Sequence, residues 1–199
     1  MSEFDNRARE WDKNKMHTER SEAIASGIKK MINLNPSMKA LEYGAGTGIL
    51  SFMLSDEFSD ITMMDSSSEM IQVCVEKAEK NNSLHIHPLY FDLEHNDFEG
   101  RFDIIYNQMV LHHVADYETM FAKFYTLLNT EGYLAIADLF PEDGSFHGDN
   151  VNVHLGFDPE ILSRMLKNSG FSDIRYINCY NLKHESGKIF PIFLLVAKK

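Results

Sequence analysis

The sequence predicts an α/β fold, a three-layer sandwich in which helices cover both faces of a mostly parallel seven-stranded sheet that ends in an antiparallel C-terminal strand pair. Three observations carry this expectation. The apolar pattern switches again and again between continuous or period-2 runs and period-3.6 stripes, as alternating strands and helices require. The chain has 199 residues, 44% of them hydrophobic, which suffices for one well-buried core. No internal repeat, low-complexity tract or linker-like stretch divides it, so one domain over 1–199 is expected. Within it we delimit an N-terminal helical cap (1–35), a central core (36–140), a loop (141–157) and a C-terminal helix with a strand pair (158–199).

The elements follow in order. Ile24, Ile28, Met31 and Ile32 mark one face of a helix that must end before Pro36. KALEY reads as a buried strand, and Gly44 to Gly48 as the turn into a helix carrying Leu50, Phe52 and Leu54. DITMMD is a second strand leading into a helix with Ile71, Cys74, Val75 and Ala78 inside, where Ser66 and Glu69 suggest a capping box. LHIHPLYFDL is a third strand, placed at an edge by Pro88. FDIIYNQMVL is a fourth, Asp116 caps the next helix, NTEG reads as a turn, and YLAIADL is a fifth strand. Asp158 and Pro159 open a helix with Ile161, Leu162, Met165 and Leu166 inward and Gly170 beyond its end. FSDIRYINCY and KIFPIFLLVAKK close the chain as an antiparallel pair.

Composition excludes some functions. Thirty acidic against nineteen basic residues give a formal charge of -11, which opposes attraction to nucleic acid or anionic membrane, so no nucleic-acid partner is expected. The charged N-terminus and the Pro191-broken C-terminal apolar run predict neither export nor a membrane anchor. Cys74 and Cys179 lack metal-type spacing and read as core residues of a cytoplasmic chain.

The chemistry concentrates after the first strand. In ALEYGAGTG, Gly44, Gly46 and Gly48 let the backbone approach a ligand, and helix-start N–H groups can bind its polar parts. A dinucleotide fingerprint would place its third glycine where Ile49 stands. Asp65 ends the second strand, where a carboxylate can accept ribose hydroxyls, a position shared by nicotinamide and adenosyl-sulfonium sites. Glu42, beside the glycines, disfavours a pyrophosphate and suits a ligand carrying an ammonium and a sulfonium. Asp92 ends the third strand within reach of an adenine amine, and Asn107 ends the fourth on the crevice side. His112, His113, His147 and His154, with Asp138, are groups able to converge as bases over a reacting centre. A metal held by His147, His154 and Asp138 is chemically open, but loop spacing is not diagnostic and no metal is assigned.

The series LEYGAGTG, MMDSS, YFDL, FDIIYNQMVLHHV and LLNTEGYLAIADL, over residues 36 to 140, resembles the motifs of class I S-adenosylmethionine-dependent methyltransferases, most closely the ubiquinone/menaquinone C-methyltransferase branch. The resemblance implies a Rossmann-like fold and S-adenosylmethionine as cofactor. It assigns Glu42, Gly44, Gly46 and Gly48 to the methionine part, Asp65 with neighbouring Ser66 to the ribose, Asp92 with Leu93 to the adenine, and Asn107 with Met109 to the inner wall. FDNRAREWD looks like the family's N-terminal cap, with Phe4 and Trp11 closing over the cofactor or Trp11 serving as helix packing. The proline-containing tetrad of base-amine methylases is replaced by NQMV, which points to a small-molecule acceptor. The loop 141–157 is the expected acceptor cover, with His147 and His154 facing the methyl and an oligomeric state left open. A non-catalytic S-adenosylmethionine-binding sensor or partner subunit, and a nicotinamide oxidoreductase, are the competing readings.

Overall fold

In a computed structural model, which describes residues 4–147, 153–184 and 186–199, seven strands form one sheet. They are β1 (Lys39–Tyr43), β2 (Asp60–Asp65), β3 (Ile86–Tyr90), β4 (Phe102–Gln108), β5 (Leu128–Leu139), β6 (Ser172–Lys183) and β7 (Ile189–Lys198). The order is β3-β2-β1-β4-β5-β7-β6, with parallel pairing up to β5 and antiparallel pairing of β7 with both its neighbours. The expected fold class is therefore the observed one. Strand order reverses between β1 and β4, and in open α/β sheets the crevice at the carboxyl ends beside such a switch point is where ligands bind.

The helices are α1 (Lys15–Met31), α2 (Ile49–Met53), α3 (Ser68–Lys80), α4 (Tyr117–Leu127) and α5 (Pro159–Asn168), preceded by a 3-10 helix, Asp5–Lys13. Period-2 alternation divides β1 between two cores. Ala40 packs with Ile24 and Ile28 of α1, Leu50 of α2 and Cys74 of α3, whereas Leu41 and Tyr43 pack with Phe121 and Phe124 of α4 and Leu162 of α5. Glu42, between Leu41 and Tyr43, is thereby driven fully into the first of these layers.

Three local expectations are corrected. The cap of α3 is Ser67, which accepts from the Met70 N–H, not Ser66; the helix starts one residue later because Asp65 accepts the Ser67 N–H. The NTEG segment lies within β5, where the register with β4 jumps and Glu131 takes a left-handed φ of 67° to absorb the extra residues. Ile161 of α5 points outward at 48% exposure, while Leu162 and Leu166 bury. The middle of the 141–157 loop, 148–152, lies outside the described residues. No helix among them is long and apolar enough to cross a membrane.

Candidate active site at the carboxyl ends of the strands

A cavity of about 590 Å³ opens above the β1/β4 switch point, within the range of small-molecule sites. Its floor is the turn after β1. Gly44 and Gly46 adopt φ values of 67° and 55° and both border the cavity; a Cβ on Gly44 would come within 2.5 Å of the Val110 side chain. Gly48 (φ 75°) does not border it. Its Cβ would strike Met63 Sδ at 2.6 Å, so its smoothness serves packing of the turn against β2.

Asp65 locks this turn. Its Oδ2 accepts the Gly46 N–H (2.7 Å) and its Oδ1 the Ser67 N–H (2.8 Å), and the residue borders the cavity with acceptor capacity to spare. Burial raises its pKa, and those two N–H bonds work against the rise. Ser66, Asp92 and Leu93 continue the same wall. The Asp92 carboxylate also closes a turn of its own, accepting from the Glu94 N–H (3.0 Å) and the His95 N–H (3.3 Å), with the His95 ring nitrogen 2.7 Å away.

Glu42 lies behind the turn, not at the cavity. Its Oε2 accepts the Ser51 N–H (3.2 Å) and the Ser51 hydroxyl, which meets Tyr106 OH at 2.7 Å. Its Oε1 is buried without a partner, and burial pushes the carboxyl up to about 8. Asn107 is similarly withdrawn at 1% exposure, with both side-chain amide atoms unpartnered; Gln108 and Met109 line the cavity in its place. Met109 does so from a left-handed φ of 55°, the kind of backbone strain that collects at functional sites. Residues 4–13 form the roof, with Phe4 edge-on to His113 (5.3 Å) and Trp11 over His17 (4.2 Å). The roof is fastened by the Ser67 hydroxyl donating to Asp5 (2.6 Å) and by Lys77 pairing with Asp12 (2.8 Å).

The four expected histidines separate into three and one. His112 is buried, its Nδ1 lies 2.6 Å from Asp138 Oδ1, and its N–H donates to Asp138 Oδ2 at 3.2 Å. A carboxylate only accepts, so Nδ1 carries a proton, and in the neutral ring Nε2 is the acceptor. His113 and His147 also line the cavity, and one ring nitrogen from each of the three lies within 4.8 Å of the others. Burial first, then the neighbouring His112 and His147, lowers His113 to about 4, so it is neutral at physiological pH. A tetrahedral zinc holds its nitrogens about 3.4 Å apart; a carboxylate that holds the Nδ1 proton of an imidazole leaves Nε2 free either to take a proton or to ligate a metal. His154 is the correction. Its Nε2 meets the Val114 carbonyl at 3.0 Å and its ring packs on Tyr117 and Phe157, so it braces the loop and does not line the cavity.

Sequence reading missed Arg20, His17, Gln108, Lys183 and His184, all of which line the cavity. The signal lay in α1. His17, Arg20 and Ser21 continue the Ile24–Ile28 face by one turn, and polar residues at core positions of an amphipathic helix mark a site.

A parallel sheet with its ligand crevice at the switch point, a glycine turn clamped by an acidic residue at the end of β2, and a roof from the N-terminus define a Rossmann-like S-adenosylmethionine-dependent methyltransferase of class I. Residues 16–181 match the methyltransferase domain family, and the chain belongs to it. An uncharacterized methyltransferase of Schizosaccharomyces pombe is 29% identical over 157 residues, 70% of this chain and 55% of the relative. Phosphoethanolamine N-methyltransferase 1 of Arabidopsis thaliana is 27% identical over 154 residues, 74% of this chain and 31% of the relative. The chain thus spans about half, or less, of the length of these curated relatives. Among solved structures, phosphoethanolamine N-methyltransferase 2 of Haemonchus contortus, in complex with phosphomonomethylethanolamine and S-adenosylhomocysteine, superposes with a TM-score of 0.75 at 17% identity, covering 91% of this chain and 52% of that one. The family is broader than the quinone C-methyltransferase branch. The donor set fits the family's cofactor: Asp65 has carboxylate lone pairs beyond its two N–H bonds for a diol, and Glu42 stands behind the glycine turn with Oε1 unpartnered.

Proposed function

We propose that the chain methylates a small-molecule acceptor bound over the His112–Asp138 pair. The observation that carries this reading is that one roofed cavity joins the Asp65 end, suited to a nucleoside, to a buried imidazole whose Nε2 is held ready to take a proton. S-adenosylmethionine supplies, when bound, a methyl already activated by its sulfonium. The chain's own work is then placement, which contributes up to about 7–11 kcal/mol in the best intramolecular geometries. Asp65 accepts the ribose hydroxyls, Ser66, Asp92 and Leu93 bound the base, Gly44 and Gly46 admit the amino-acid part, and Glu42 lies behind it. His112 Nε2 removes the acceptor's proton, and Asp138 positions the ring. Support for a small acceptor comes from the size of the cavity, about 590 Å³, from the net charge of -11 and from the small-molecule substrates named for the plant and nematode relatives.

Calorimetry tests the cofactor half. S-adenosylhomocysteine should bind and the nicotinamide dinucleotides should not; the reverse ranking ends this reading. Asp65→Ala should weaken binding by about 1.5–3 kcal/mol, the cost of a lost charged hydrogen-bond acceptor, and an unchanged Kd would show that the ribose lies elsewhere. The acceptor half is tested by S-adenosylhomocysteine release with pools of small amines, thiols, phenols and carboxylates. Binding without turnover on any pool would favour a sensor, and retention on immobilised DNA at physiological salt would contradict the small-molecule assignment.

A further inference from the structure

The cavity is polarised along the sheet. At the β2–β3 side it is bordered by Asp65, Asp92 and Glu94; across the switch point, towards β5 and β6, it is bordered by Arg20 and Lys183, and Arg7 lies in the roof. In a chain of net charge -11 a cationic end is unexpected, and one of its members is buried. Arg20 is 6% exposed, its Nε has no hydrogen-bond partner, and no carboxylate among the described residues comes within ion-pairing range of it.

The nearest acidic group of consequence is Asp138, which is already committed, accepting from His112 Nδ1 (2.6 Å), the His112 N–H (3.2 Å) and the Leu139 N–H (2.7 Å). It acts on Arg20 only through its field, opposing the lowering that burial causes; the guanidinium falls to about 10 and remains a cation at neutral pH. A buried unpaired charge is strongly destabilising, and a planar fork of donors matches a planar or tetrahedral oxyanion. The turn of α1 that carries Arg20 is anchored by the Ser21 hydroxyl, which donates to Gln108 Oε1 at 2.9 Å.

We infer that Arg20, with Lys183 at its edge, forms an oxyanion subsite inside the cavity that grips a carboxylate or phosphate carried by one of the two molecules meeting there. The inference rests on the methyl-transfer reading. The oxyanion belongs either to the amino-acid part of the cofactor or to the acceptor, and one set of measurements separates them.

Wild type, Arg20→Met and Arg20→Lys are titrated with S-adenosylhomocysteine and with 5′-methylthioadenosine, which lacks the amino-acid portion. Each protein, saturated with S-adenosylhomocysteine, is then titrated with inorganic phosphate and with acetate. If the cofactor supplies the oxyanion, Arg20→Met loses roughly tenfold or more of the preference for S-adenosylhomocysteine over methylthioadenosine, and Arg20→Lys recovers part of it. If the acceptor supplies it, that preference is unchanged, and wild type binds phosphate or acetate with an affinity that Arg20→Met loses by a similar factor. Both results support the subsite. An unchanged preference, together with anion binding that is absent from wild type or retained by Arg20→Met, overturns it and leaves Arg20 a structural charge. Should the Met variant not fold, Arg20→Gln and Arg20→Lys report the same two quantities. Failure of wild type to bind either nucleoside would instead sink the methyltransferase reading.

Discussion

Between about pH 6.5 and 8 the ligand-free protein should lose on the order of 2 kcal/mol of unfolding free energy that Glu42→Gln does not lose. Burial holds the Glu42 carboxyl at about 8 against an ordinary value of 4.5. A carboxyl whose folded pKa is raised binds its proton more tightly in the native state, so the unfolded chain carries fewer protons and stability falls as pH rises. Its contribution is complete below about 4.5 and is lost through about 8. His17 and His113, both lowered to about 4, chiefly by burial, slope the other way but only below about 6.5. Above that value Glu42 is isolated, and each unit of pH is worth about 1.4 kcal/mol. Glutamine keeps the carbonyl that accepts from Ser51 and removes the titration. S-adenosylhomocysteine, whose ammonium would favour the charged carboxylate, should flatten the wild-type slope and bind more tightly as pH rises across the same window. Urea unfolding at several pH values decides the matter: parallel curves for wild type and Glu42→Gln would mean that the buried carboxyl does not titrate there.

This group also shows how far the sequence carries. The strand containing Glu42, the positive-φ glycines after it and the acidic end of β2 were all legible, because period-2 burial and glycine turns are local properties of the chain. Which layer Glu42 enters was not, since it depends on α2 returning Ser51 beneath β1. Arg20 lies on the core face of α1, but that signal has a competing reading. A charged residue one turn before an apolar stripe reads as solvent-facing until the roof of residues 4–13 and β6 are seen to enclose it. His112, His113, His147 and His154 were named together from their positions after the fourth and fifth strands, because sequence spacing says nothing about which ring turns inward. Pro159 and Asp158, by contrast, placed α5 to the residue, since a helix start is written in its own side chains.

The second large effect is expected at Asp138. Asp138→Asn should lower kcat by about 10²–10⁴-fold, the range of a positioned general base, with the Kd for S-adenosylhomocysteine changed little. The carboxylate accepts from His112 Nδ1 and so keeps the proton there and Nε2 bare; an asparagine can present an N–H instead, moving the ring proton to Nε2, where it faces the acceptor and cannot accept another. His112→Gln should fall as far. His154→Ala should remain within a few-fold of wild type, because its Nε2 is bonded to the Val114 carbonyl and its ring stacks away from the cavity. Loss of a partner from a buried pair costs stability as well, about 3–5 kcal/mol, so cofactor affinity serves as the check that the variants are folded. The pH profile distinguishes a base from a brace. In wild type kcat should rise to a plateau as one group loses its proton, and in folded Asp138→Asn that rise should shift or disappear. A variant that binds cofactor normally, turns over at the wild-type rate and keeps the same profile would leave the pair as a structural brace and move proton removal to His113 or His147.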